Sequence, residues 1–118
     1  MRTIIIVVSL FVMALGSVPV RAHAFLDHAS PLVGSTVRAA PHEVTLTFTQ
    51  NLEPAFSSVE VLDANGARVD QGKAQTSANT MRVGLKPLAP GSYKVRWRAL
   101  SVDTHTTEGA FSFHVGGP

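Results

Sequence analysis

Ser92-Tyr93-Lys94-Val95-Arg96-Trp97-Arg98-Ala99 alternates without a break. Successive side chains of an extended chain point to opposite faces, so Tyr93, Val95, Trp97 and Ala99 share one side and Lys94, Arg96 and Arg98 the other. The segment reads as a strand with an apolar face in a core and a solvated cationic stripe. Phe111, Phe113 and Val115 repeat the pattern near the C-terminus. Working outward, the pattern predicts strands at 25–30, 44–49, 58–62, 67–70, 80–85, 92–99 and 109–115. Pro31, Gly34, Pro41, Pro54, Pro87, Pro90-Gly91 and Gly116-Gly117 punctuate them. Turn signals about every ten residues are the mark of a sandwich or barrel. Asp63-Ala64-Asn65-Gly66 is a hairpin candidate, since Asn-Gly supplies the positive φ of a primed turn. No stretch combines a helix cap with helical periodicity, and no internal repeat is present. The expected fold is all-β: a seven-stranded antiparallel sandwich or barrel, immunoglobulin-like, with Greek-key connections.

The N-terminus carries a different signal. Arg2 is followed by a nearly unbroken apolar run from Ile4 to Leu15, and then by Val20-Arg21-Ala22. A cationic start, a short apolar core and small residues before a cut are the features of a secretory signal peptide. A run of that length covers about 18 Å of a roughly 30 Å hydrocarbon core, too little to span a membrane. The division expected is therefore 1–22 as signal peptide and 23–118 as one exported domain, with no stable membrane anchor after cleavage. Arg2 and Arg21 leave with the signal, so the ten basic residues fall to eight against eight acidic ones. The mature domain is formally neutral and has no clustered cations to bind nucleic acid. The chain contains no cysteine. That excludes disulfide staples, a blue-copper centre, and any thiolate zinc or iron–sulfur site.

Metal chemistry is left to histidine, carboxylate, methionine and the amino terminus. Cleavage after Ala22 makes His23 the first residue, and its α-amine and ring Nδ1 can then close a chelate on one ion. Asp103-Thr104-His105 supplies an oxygen and a nitrogen two residues apart, on one side of an extended chain. Three nitrogens and one oxygen suit a tetragonal Cu(II) ion. His28, His42 and His114 stand in no such pattern and read as surface polar residues. Met81 is the one methionine beyond the signal, so no thioether cluster for Cu(I) can be built.

Beyond these residues, the chain from His23 to Val115 resembles the CopC family of periplasmic copper-resistance proteins. The resemblance lies in His23-Ala24, Ser30-Pro31 with Gly34-Ser35, and Leu46-Thr47-Phe48-Thr49 leading to Asn51-Leu52-Glu53-Pro54-Ala55-Phe56-Ser57. It continues through Leu88-Ala89-Pro90-Gly91-Ser92-Tyr93-Lys94-Val95-Arg96-Trp97-Arg98-Ala99 to Ser101-Val102-Asp103-Thr104-His105. It implies a periplasmic Cu(II) carrier or buffer in copper homeostasis and resistance, not an enzyme. It implies His23, Asp103 and His105 as copper ligands, and a CopD-type inner-membrane copper transporter as partner. Gln50 stands where many relatives carry a glutamate near the copper, and an amide there adds no charge. Glu108 is a candidate to orient His105 from behind.

Two other classes compete. One is a small histidine-brace copper oxygenase, which also begins with a metal-binding histidine. A 96-residue mature chain with one Trp and one Tyr has little surface for a polysaccharide. The other is a metal-free structural sandwich, which failure to bind Cu(II) would favour.

Overall fold

A computed structural model describes residues 25–117. The signal peptide expected at 1–22 and the candidate ligand His23 lie outside the described residues. The chain is all-β, and eight strands follow in order: β1 (Leu26–Ser30), β2 (Thr36–Val37), β3 (Glu43–Phe48), β4 (Ser58–Leu62), β5 (Asp70–Ser77), β6 (Thr80–Leu85), β7 (Gly91–Leu100) and β8 (Thr106–Val115). A 3₁₀ turn, Pro54–Phe56, interrupts the crossing from β3 to β4. The strands form two four-stranded sheets, β1-β3-β6-β5 and β2-β8-β7-β4, packed as a sandwich.

Three details differ from the reading of the sequence. The eighth strand, β2, is only two residues long and pairs parallel to β8, so the second sheet is mixed rather than wholly antiparallel. Two residues have no periodicity to detect. The strand expected at 67–70 instead starts at Asp70 and runs to Ser77. Its residues are mostly exposed and do not alternate apolar with polar; pairing to β6 makes it a strand, with an irregularity between Gln71 and Gln75. The turn after β4 is also of another kind. Gly66 has φ +84°, but Asn65 does not have positive φ, as a primed turn would require of both central residues. The Asp63 carboxylate stabilises the turn by accepting from Asn65 N and Ala67 N, both at 2.9 Å.

Alternation along β7 and β8 is otherwise as expected. Tyr93, Val95, Ala99, Phe111, Phe113 and Val115 are buried with Val44, Leu46, Phe48, Val59, Val61, Met81, Val83 and Leu85 in one core. Two residues of the cationic stripe are paired across the strands. Arg96 pairs with Glu60 on β4, and Arg98 Nη1 lies 2.9 Å from Glu108 Oε2 on β8. Both arginines of the stripe are therefore engaged by carboxylates on neighbouring strands.

Trp97 is half-buried, its ring edge-on to Phe48 at 5.1 Å between centroids. It lies opposite Gly109, and a Cβ there would come 2.5 Å from the indole Cζ2. Glycine is needed because the indole occupies the place of a side chain. Gly109→Ala is expected to destabilise the fold by about 2 kcal/mol, through overpacking. Urea unfolding followed by Trp97 fluorescence measures this, and an unchanged midpoint would show that the ring moves aside freely.

The two sheets are joined at the β4–β5 crossing by a buried carboxylate. Asp70, at the start of β5, accepts from Val61 N on β4 at 2.8 Å. It also accepts from Arg68 Nε at 3.0 Å and Nη2 at 2.7 Å. Burial opposes its ionisation, but the hydrogen bonds from Arg68 and Val61 and the Arg68 charge outweigh it. The carboxyl is held below its ordinary range.

Candidate metal centre

The segment between β7 and β8, Ser101 to His105, is the loop of a long hairpin that ends with Leu100 opposite Thr106. Backbone bonds close it tightly. Ser101 N donates to His105 O at 3.0 Å, and Thr104 N to Ser101 O at 2.8 Å. A second loop braces it from the side, since Val102 N donates to Asn51 O and Glu53 N to Leu100 O. Leu52 and Ser101 also form a bridge.

Within this loop Asp103 Oδ1 and His105 Nδ1 lie 3.4 Å apart, the two side chains one-third and one-half exposed. The two side chains are adjacent, but not for the reason read from the sequence. The chain is not extended here. Thr104 has φ +73°, in the left-handed region, and the resulting turn brings its two neighbours together. For a β-branched residue that conformation costs on the order of 1–3 kcal/mol, so the surrounding bonds must impose it. The Asp103 carboxyl sits below the usual carboxylate range. The largest cause is the Ser101 hydroxyl hydrogen bond; burial opposes the shift, and His105 adds to it. A carboxylate that stays ionised and an adjacent imidazole form an oxygen–nitrogen pair suited to Cu(II).

The loop occupies the same end of the sandwich as the start of the described chain. Phe25 N donates to Thr49 Oγ1, and Thr49 N to Phe25 O, both at 2.9 Å. Thr49 begins the stretch through half-buried Gln50 to Asn51, whose carbonyl braces the loop. Glu108 is a strand residue of β8, not a loop residue, and the contact seen for its carboxylate is with Arg98. The role expected of it beside His105 is thus replaced by one in the cross-strand ion pair.

The other histidines stand elsewhere. His28 is exposed with Nδ1 at 2.8 Å from Asp27 Oδ2, and His114 is exposed with Nδ1 at 3.1 Å from Ser92 Oγ. His42 lies before β3 with its carbonyl accepting from Leu85 N. Among the described residues no three His, Cys, Asp or Glu side chains gather round one point. The Asp103–His105 pair is half of the donor set expected from the sequence, and the remaining residue of that expectation, His23, lies outside the described residues. Sequence reasoning missed Ser101, because serine is too common for its type to signal a role.

The CopC domain matches residues 26–116. The chain belongs to the CopC family. The CopC crystal structure from Methylosinus trichosporium OB3b superposes with a TM-score of 0.75 at 38% identity, covering 80% of this chain and 95% of that one. PcoC, described as a methionine-rich copper resistance protein from Escherichia coli, gives 0.71 at 32%, covering 80% and 99%. Copper resistance protein C of Xanthomonas campestris pv. juglandis is 32% identical over 123 residues, covering 97% of this chain and 96% of that protein. Against PcoC, this CopC-family chain is methionine-poor. Its three methionines are Met1, Met13 and Met81, and Met81 is fully buried in the core.

Proposed function

We propose that this chain is an exported, periplasmic copper-binding protein of copper homeostasis and resistance. It holds Cu(II) through the amine and imidazole of His23, the Asp103 carboxylate and the His105 imidazole. The observation that carries the reading is the tight hairpin loop that sets Asp103 and His105 3.4 Å apart. That loop lies at the pole where the chain enters the fold. From Phe25 only two residues lead back to His23, a reach of about 7 Å per extended pair of residues. Membership of a family whose relatives are named for copper resistance supports copper as the ion.

The donor set is hard to intermediate, and Met81 sulfur is sealed in the core, so the protein holds Cu(II) rather than Cu(I). One-electron reduction of Cu(II) to Cu(I) by an external small-molecule reductant would loosen the ion and let it pass to a softer site, such as one on a CopD-type inner-membrane transporter. Nothing in this chemistry calls for a substrate or a turnover step, and the protein acts as carrier or buffer.

The test is an alanine series titrated with Cu(II) against a competing chelator. Asp103→Ala and His105→Ala are expected to weaken binding by well over the roughly 10-fold that loss of a mere supporting contact can cost. His28→Ala, His42→Ala and His114→Ala are expected to bind as the unaltered protein does. A His105→Ala protein with unchanged affinity and electron paramagnetic resonance spectrum would overturn the site.

A further inference from the structure

Ser101 is fully buried, one of two buried polar residues among the described ones, the other being Asp70. Its backbone is tied on both sides, N–H to His105 O and carbonyl to Thr104 N. Its side chain reaches two acceptors, Asp103 Oδ1 and, at 3.3 Å, His105 O. A hydroxyl has one proton to donate. An ionised carboxylate is the stronger acceptor, so the proton goes to Asp103. The same Oδ1 lies 3.4 Å from both His105 N and His105 Nδ1. Several protein groups therefore converge on one oxygen of a carboxylate whose side chain is one-third exposed.

We propose that Ser101 is a positioning residue for copper: its hydroxyl commits Asp103 Oδ1 to the protein and fixes the carboxylate rotation, leaving the other oxygen for the ion. The proposal rests on the reading of Asp103 as a ligand. Without this bond, the contacts left to Asp103 Oδ1 are the 3.4 Å ones to His105, too long to hold the carboxylate in one rotation. With it, the carboxylate is set in place before the metal arrives. A solvent-exposed serine would be a poor substitute, because water would compete for both its proton and its acceptor. Full burial removes that competition and makes the contact permanent on the timescale of binding.

The test is a double-mutant cycle on the full mature protein, with Cu(II) affinity read by chelator competition and ligand geometry by electron paramagnetic resonance. Ser101→Ala removes one atom from a packed position. It is expected to lower Cu(II) affinity about 10- to 100-fold and to alter the copper hyperfine splitting. Its near-UV circular dichroism without metal should be unchanged. Added to Asp103→Ala, the same substitution should cost nothing further, since Ser101 acts through that carboxylate. Equal losses in both backgrounds would overturn the proposal in favour of a general effect on the loop. So would an unfolded Ser101→Ala protein. If Ser101→Ala binds and resonates as the unaltered protein while Asp103→Ala binds weakly, the positioning role is wrong and the ligand reading stands. If Asp103→Ala itself binds normally, the ligand reading fails and the proposal with it.

Discussion

A single residue placed before His23 is expected to lower the affinity for Cu(II) by more than about 100-fold, beyond the range that loss of a supporting partner covers. The extension converts a basic α-amine into an amide and so removes one arm of the chelate proposed for the amine and imidazole of His23. The imidazole survives, as do Asp103 and His105, whose loop is held by its own backbone bonds. The loss therefore isolates the amine. Mature protein and protein carrying one additional N-terminal alanine are titrated side by side against the same Cu(II) chelator. Equal affinities would remove the amine from the ligand set and leave a weak imidazole–carboxylate site. Mass spectrometry of the exported protein settles whether His23 is the first residue.

The largest effect on stability is expected at Asp70. Asp70→Ala leaves the buried Val61 N–H without its acceptor and ends the bidentate contact with Arg68. A buried donor left unpaired and a charged hydrogen bond lost amount to about 3 kcal/mol, or roughly 15 °C in the melting temperature of a domain this size. Asp70→Asn separates charge from hydrogen bonding. The folded Asp70 carboxyl titrates below its ordinary 3.8. Its ionic contribution is therefore complete above that unfolded-state value and disappears as the pH falls through the lower folded-state value. The stability gap between the unaltered protein and Asp70→Asn should be constant above about pH 5 and should shrink below about pH 4. Chemical denaturation at a series of pH values measures it. A gap that does not change with pH would mean that shape, not charge, joins the sheets.

Much of this was legible in one dimension. Alternation at 92–99 and 111–115 specified a sandwich, because burial on one face of a strand imposes a period of two on its residues. Asp103 and His105 stood out as candidates because two metal-binding residue types stand two apart, and the absence of cysteine narrowed metal chemistry to His, carboxylate, Met and the amino terminus. Tertiary structure decided the rest. The parallel pairing of Thr36–Val37 and the run of β5 through polar residues depend on the neighbours β8 and β6, whose hydrogen bonds no local pattern announces. Glu108 looked like a partner for His105 only while it was counted along the chain; on β8 it faces Arg98. The left-handed turn at Thr104, unfavourable for a β-branched residue, exists because bonds from both sides of the loop enforce it. Ser101 has its place for the same reason. A hydroxyl gains a role from the atoms folding puts beside it, and those atoms are set by packing rather than by spacing.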